Sequence, residues 1–471
     1  MRHDGASLDE RIEKLQCHFK LASDYSRQNR ISTEQVIRQA TRIERVEMGE
    51  DSIEEVSPDS TNPGQTITSG SRMSLPGVSN SHQFNRRAVL QGASASAACV
   101  ALSRKAPALA QSGAVRIGVL LPLTGEADVI AAQTSAGIQA GVEKLNADGG
   151  VLGRSVEAVY RDSEGHPNNL AQHCRDLVKN EGVVGVIGPF IAAGRKFAAR
   201  HVSELGVPLV SATNHEGGFC HPNLFTLGPT PAQDVSPLIE YVDGGAGRNY
   251  FLVGSYPSWQ NSMFRQSRFR IGDQGGHVLG QALTDVGEMQ FEPVLRWIAD
   301  TDADVVLYCV PRSNGPLFIK RAKQMGLLGR LTFAWIGFNE THHAVLSSEE
   351  RERVVTCSSF VMSDRTTGVR EFVERVQRVH GADFPVTYYA HNHSSAVAAL
   401  GEAWIQAGEA SGYAAIATLP GLSFNGANGS MTINAASHHS TLNLVIAKGG
   451  EKELEVVKRL GSVGAAAGCT V

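Results

Sequence analysis

Histidine and cysteine are the side chains of this 471-residue chain most able to bind metals or supply a nucleophile, and it carries 16 and 7 of them. The histidines bunch as His342 and His343, His391 and His393, and His438 and His439. None of these pairs has the i, i+4 helical spacing beside a carboxylate that zinc sites use, and adjacent histidines on a strand face opposite ways. No metal site and no cofactor are expected. The cysteines, at 17, 99, 174, 220, 309, 357 and 469, form no CxxC pair. Five follow Ala110, so at least one stays unpaired unless it joins two chains. Cys174 and Cys309 lie in apolar patterns and are expected as buried thiols, while a disulfide at Cys220 is left open, since spacing alone does not support one.

Catalytic signatures are equally absent. The sequence holds no G-x-S-x-G elbow, no G-x-x-x-x-G-K-[ST] phosphate loop and no strand-linked G-x-G-x-x-G, so no enzyme is expected. The "GGVLGR" run at 149–154 ends a helix rather than opening one, which assigns its glycines to a stop and a turn. A formal net charge of −4 and the lack of any basic stripe with interleaved aromatics argue against nucleic acid as a partner. The longest apolar run, 88–102, is too short to cross a membrane and is broken by Gln91 and Gly92.

The elements that must position any site come from periodicity. From Ala114, strands such as "VRIGVLL", "VEAVYRD", "VVGVIGP" and "VPLVSAT" alternate with single amphipathic helices. A second set, "NYFLVGS", "HVLGQAL", "DVVLYCVP" and "LTFAWIG", follows Gly247. Strands separated by one helix imply right-handed crossovers and parallel sheets, hence an α/β chain of two similar lobes with a cleft between them. Ligands of such sheets sit outside the carboxyl ends of the strands. That rule selects the loops 123–128, 163–166, 190–194 and 213–218 in the first lobe, and 256–261, 312–315 and 337–340 in the second. Phe190 and Trp259 fall in such loops and could wall a cleft, whereas Trp297, Trp335 and Trp404 are expected in the core.

The N-terminal region has a different texture. Residues 1–84 read as a non-globular extension, helical in pattern to 48 and then rich in Ser, Pro, Gly and acid. Residues 85–110 have the parts of a twin-arginine export signal: Arg86 and Arg87, a weakly apolar core, Arg104 and Lys105, and an Ala-Leu-Ala end at Ala110. Export to the periplasm with cleavage after Ala110 is expected, and Met73 is an alternative start that would give the signal an ordinary length.

The succession "VRIGVLLPLTGEAD", "LNADGGVLGRSVEAVYRDSEGHPNNLAQHCRDLV", "GVVGVIGP" and "ATNHEGGFCHPNLFTLGPTPAQ" resembles the type 1 periplasmic solute-binding proteins. The segment "HEGGFCHPN" is most similar to their urea and short-chain amide branch. The resemblance spans about 114–449 and implies two flavodoxin-like lobes that close on one small ligand. It implies lobe 1 at 111–233, lobe 2 at 234–360, a return to lobe 1 at 361–428, a C-terminal hairpin at 429–449 and a flexible tail at 450–471. Crossings between lobes are expected at 230–234, 359–363 and 426–433. Carried over by position, ligand contacts fall on Phe190, Ala192, Ser211 and Thr213 in the first lobe, and on Trp259, Val310, Arg312 and Ser313 in the second. Ala192, Ser211 and Ser394 depart from the hydroxyls and tyrosines common in relatives, which implies a retuned pocket.

The favoured reading is an exported solute-binding component of an ABC importer, with membrane permease subunits as partners and a small polar ligand such as urea or a short-chain amide. A dry pocket with fixed donors and acceptors suits such a ligand, because an unpaired buried polar group costs about 1–3 kcal/mol. An amino acid would need a paired Arg or Asp, a role that Arg312 and Asp162 leave open. The competing readings are a cytoplasmic amide sensor acting on a regulator and an α/β hydrolase.

Overall fold

A computed structural model describes residues 113–471 apart from 124–127, 164–168, 191, 256, 286, 311–313 and 467, and omits the side chains of 128–129, 192–193 and 257–258. The extension, the twin-arginine segment and the alternative start at Met73 lie outside the described residues, as do Cys17 and Cys99.

The first lobe is a five-stranded sheet in the order β2-β1-β3-β4-β5, formed by β1 (Val115–Leu121), β2 (Val156–Asp162), β3 (Val186–Ile187), β4 (Leu209–Ser211) and β5 (Leu224–Thr226). Every neighbouring pair is parallel. β1 is buried at all positions but Arg116, as a strand covered on both faces must be. One face is covered by α2 (Leu170–Lys179) and α3 (Ala192–Glu204), through Leu170, Cys174, Leu177, Ala198 and Val202. The other is covered by α1 (Asp128–Ala147), with helices supplied much later by the chain. The "GGVLGR" glycines do turn the chain: Gly150 has φ +73°, and a Cβ there would lie 1.9 Å from the Arg154 carbonyl oxygen.

After β5 the chain enters the second lobe at α4 (Pro231–Asp243), whose N-cap Thr230 forms a capping box with Gln233. There follow β6 (Asn249–Gly254), α5 (Pro257–Asp273), β7 (His277–Leu283), α6 (Glu292–Ala299), β8 (Val305–Cys309), α7 (Gly315–Gln324), β9 (Thr332–Trp335), two short helices α8 (Glu340–Ala344) and α9 (Ser348–Arg351), and β10 (Val354–Ser358). Two helices return to the first lobe, α10 (Thr367–His380) and α11 (Tyr388–Ala407), and α12 (Gly412–Thr418) follows. The chain ends with β11 (Ser423–Gly426), β12 (Gly429–Thr432), β13 (Leu442–Gly449) and β14 (Leu454–Val463). The second sheet runs β14-β13-β10-β9-β8-β6-β7, parallel except for its antiparallel β13 and β14. Phe251, Phe291, Phe318, Phe333 and Trp335 pack one of its faces, while Leu238, Leu252, Met263 and Leu307 belong to a cluster continuous with the first lobe.

Four expectations are corrected here. Residues 450–471 are not a free tail: β14 completes the second sheet beside β13, and Cys469 forms a disulfide with Cys220. The hairpin expected at 429–449 exists only where Ile433 bridges Ser440, because β12 pairs back with β11 while β13 pairs with β10 and β14. The third crossing is therefore at 440–442 rather than 426–433; up to Ser440 the chain is held to β5, with Thr226 N–H donating to His438 and Ser440 N–H donating to Thr226. Trp335 and Trp404 are fully buried, but Trp297 is 49% exposed and meets Phe251 only edge-on. A tryptophan at a helix position facing outward keeps the amphipathic pattern while contributing one edge to the core.

The connections between lobes are clasped by one side chain. Gln233, fully buried at the start of α4, donates from Nε2 to the carbonyls of Ser440 and Val463 at 3.1 and 3.0 Å, and its Oε1 accepts from Thr230 N–H at 3.0 Å. Replacing it by the near-isosteric Met should cost about 2 kcal/mol by leaving buried carbonyls without these donors. The check is the urea midpoint of Gln233→Met against wild type, with an unchanged midpoint as the contrary result.

Candidate functional site

The residues at the carboxyl ends of both sheets meet beside these crossings. In the first lobe, β3 runs into a cis Gly188–Pro189 bond and Phe190. The Thr213 hydroxyl, one turn beyond β4, donates to the Phe190 carbonyl at 3.2 Å and ties the two loops together. Gly228 permits a further close approach, since a Cβ there would lie 1.9 Å from the Thr213 carbonyl oxygen. Ser211 is fully buried, and its hydroxyl has no hydrogen-bond partner among the described residues. Phe190 packs at 5.9 Å from Tyr389, which stands at 4.2 Å from Tyr388 at the start of α11.

From the second lobe, the first turn of α5 presents Trp259 and Gln260, both buried. The Trp259 indole N–H and both amide atoms of Gln260 have no partner among the described residues. Glu340, the first residue of α8, accepts Met362 N–H on Oε1 at 2.7 Å, while its buried Oε2 has no partner among the described residues. Asp234, in the first turn of α4, accepts from the Asn214 side-chain amide of the first lobe at 3.0 Å, and its Oδ1 likewise has no partner among the described residues.

Burial dominates the electrostatics of the two carboxyl groups. It pushes both Asp234 and Glu340 up to about 7, against smaller lowering by their hydrogen bonds. Tyr388 lies within reach of both: burial, then Tyr389, then the two carboxyl groups push its phenol far up. Asp234 also raises the thiols of Cys309 and Cys357, already raised by burial, which places it against the ends of β8 and β10.

The loop after Thr213 makes a rim. The carboxylate of Glu216 pairs with Arg195, fully buried in α3, and with Lys196 at 3.3 Å. Its backbone carbonyl accepts the hydroxyl of Ser262, on α5 of the opposite lobe, at 2.5 Å. His215 packs tilted against His439 at 4.9 Å, and burial together with Arg195 holds it well below the usual imidazole range.

Of the eight residues expected to touch ligand, Phe190, Thr213, Ser211 and Trp259 stand at these strand ends. Trp259 is in a helical first turn rather than a loop. Val310 is buried among the aromatic residues of the second lobe, with its carbonyl taken by the Trp335 indole at 3.0 Å. Arg312, Ser313 and the side chain of Ala192 lie outside the described residues. Asp162, weighed for an amino acid, accepts Leu123 N–H at 2.9 Å. Sequence reasoning did not single out Asp234, Gln260, Glu340, Tyr388 or Tyr389. The usable signal was position: Glu340 ends a strand-end loop, and "TYY" opens a helix.

The histidine pairs are structural. His391 and His393 are both buried in α11, and His342 and His343 in α8. His342 stacks on Trp335 and His438 on Phe225. Among the described residues, Cys220, His439 and Cys469 approach closely enough to suggest a metal, but the two sulfurs are joined to each other.

Raised carboxyl groups have a stability consequence of definite sign. Between the ordinary values near 4 and about 7, the folded chain holds at these two groups protons that the unfolded chain has lost, so their own contribution to stability falls as pH rises through this window. The buried histidines, lowered by burial, contribute with the opposite sign below the ordinary imidazole range. Glu340→Gln should flatten the decline, giving a melting temperature above wild type at pH 8 and close to it at pH 5 when scanned without added ligand. A difference in melting temperature between Glu340→Gln and wild type that does not grow in the variant's favour from pH 5 to pH 8 would contradict the assignment.

Comparison with known proteins follows the same lines. The family model described as periplasmic binding protein matches residues 114–453. A Leu/Ile/Val-binding protein homolog 7 of Brucella abortus (strain 2308) is 35% identical over 298 residues, covering 59% of this chain and 73% of the relative. Among solved structures, a solute binding protein of an ABC transporter from Rhodopseudomonas palustris BisB5, in complex with 3,4-dihydroxybenzoic acid, superposes with a TM-score of 0.68 at 19% identity, covering 75% of this chain and 98% of that one. The branched-chain amino acid transporter substrate binding protein LivJ from Streptococcus pneumoniae, in complex with isoleucine, gives 0.65 at 18% identity over 73% and 99%.

Proposed function

This chain belongs to the periplasmic binding protein family, and from that premise we propose that it is the exported solute-binding component of an ABC importer, capturing urea, a short-chain amide or a similar N–H-rich molecule between its lobes. The observation that carries the ligand class is the pair of buried carboxyl oxygens, Asp234 Oδ1 and Glu340 Oε2, that have no hydrogen-bond partner among the described residues. Each gains from a ligand N–H, and the Trp259 indole and Ser211 hydroxyl can serve the ligand's carbonyl oxygen. A benzoate-like acid would instead set its own negative charge beside these carboxyl groups. An amino acid ligand finds support in Glu340, which could face an ammonium group, and the test below separates it.

Closure would follow from the hinge arrangement, with each lobe adding contacts to a molecule already held by the other. The closed form would then be what membrane permease subunits recognise, and the protein would perform no chemistry. Export would proceed by the twin-arginine route, with cleavage after Ala110.

The test is a thermal-shift screen of the exported protein, whose first residue should be Gln111, against amides, ureas, amino acids and benzoates. A ligand at a hundredfold excess over its Kd stabilises by about 2.7 kcal/mol, which for a folded unit of this size raises the melting temperature by about 3–4 °C. Amides or ureas should produce that shift unchanged in chemical form, and Glu340→Gln should weaken them about tenfold. Stabilisation by amino acids or benzoates alone would overturn the ligand class, and product formation would overturn the binding role.

A further inference from the structure

The chain passes between the lobes once more than a hinge of this kind needs. β14 ends at Val463 beside Leu442, in the sheet of the second lobe. The residues that follow run back to the first lobe, where Val471 N–H donates to the Ala436 carbonyl at 2.8 Å and Cys469 joins Cys220 with a Cα–Cα separation of 5.8 Å. Ala436 belongs to the segment held beside β5 by Thr226. Cys220 lies on the rim loop between β4 and β5, the loop that holds Thr213 at one end and contacts Ser262 of the opposite lobe through Glu216.

We propose that Cys469 is a positioning residue for ligand capture: through its disulfide with Cys220 it anchors the rim loop to a strap from the second lobe, holding the Glu216 carbonyl where Ser262 meets it. Both ends of the strap are fixed. Gln233 holds the Val463 carbonyl at the hinge, and the disulfide holds the far end. Five residues lie between Val463 and Cys469, so the six Cα steps of the strap reach at most about 20 Å when extended. The rim loop itself has little regular structure, with positive φ at Gly217 (+69°) and Gly218 (+68°). Untethered, such a segment samples many conformations in which Glu216 and Ser262 are apart. Tethered, it is held ready for the closed form, and a larger binding-competent fraction raises apparent affinity in proportion. The thiols of Cys174, Cys309 and Cys357 are free and buried, which leaves Cys220–Cys469 as the disulfide among the described residues on which a reductant acts.

The strap rests on closure between lobes and not on which ligand is bound, so it can be tested without ligand. Amide hydrogen exchange of the full chain is followed by mass spectrometry before and after dithiothreitol, which gives its two thiol hydrogens to the Cys220 and Cys469 sulfurs, breaks the S–S bond and itself closes to a cyclic disulfide. Reduction should speed exchange in peptides covering 213–223 and 464–471 about tenfold, and that around Ser262 by a smaller factor, with β1 unchanged. Cys469→Ser should exchange like the reduced protein and should not respond to dithiothreitol. For the best stabiliser in the ligand screen, reduction should speed dissociation several-fold in wild type and not in Cys469→Ser. Equal exchange at 213–223 in oxidised and reduced protein would overturn the proposal, as would faster exchange throughout the chain, which marks a general stability loss rather than positioning of the loop.

Discussion

Gln233 holds together what would otherwise be two separate α/β lobes. It sits where the chain first passes from one lobe to the other, and its amide reaches the carbonyls at the last two passages, Ser440 and Val463. A second clasp lies nearby: Asn428 donates to the Ser359 carbonyl and to that of Asn443 at 3.0 Å. Four stretches of backbone thus share donors in a small buried volume, and the apolar cluster continuous between the lobes closes around them. Hydrogen-bonded crossings of this kind let two rigid lobes rotate about a fixed axis while the strand ends keep their register.

That geometry brings Asp234 and Glu340 out of water. Isolated carboxylates in such a place are costly, and the groups respond by holding protons up to about pH 7. Each already has one oxygen committed to the protein, to Asn214 and to Met362. What remains is a directional pair of acceptors, and a molecule that brings N–H groups lowers the cost of ionising them. Tyr388 lies near both, with Tyr389 packed on it and Phe190 on Tyr389, and apolar surroundings of this kind strengthen the discrimination between a ligand that satisfies the acceptors and one that does not. The solved relatives in complex with 3,4-dihydroxybenzoic acid and isoleucine carry ligands of other chemistry on the same fold, as a scaffold with replaceable strand-end loops allows.

Much of this fold was legible from the alternation of buried strands and amphipathic helices, and strands such as β1 and β8 are apolar along their length because both faces are covered. The end of the chain was not legible. "LEVVKRLGSV" carries Glu455, Lys458 and Arg459, which read as solvent-facing; an antiparallel edge strand tolerates such residues, so β14 looked like tail. The Cys220–Cys469 pair spans 249 residues, and no spacing rule links positions so far apart. Near the strand ends, position selected Phe190, Thr213 and Trp259, and the family resemblance added Ser211, the last residue of β4. Asp234 and Glu340 were overlooked because acidic residues in a first helical turn have a ready local explanation in capping and the helix dipole. Only their burial shows that they do something else.

The proton balance of binding tests most directly whether these two carboxyl groups receive the ligand. Calorimetric titration of the amide or urea that stabilises the protein, near pH 6.5 in phosphate and again in Bis-Tris, reads that balance from the difference in heat. If ligand N–H groups stabilise the ionised carboxylates, binding releases protons to the buffer and is more exothermic in Bis-Tris, and the difference disappears in Asp234→Asn/Glu340→Gln. Equal heats in the two buffers, or a difference of opposite sign that marks proton uptake, would contradict it.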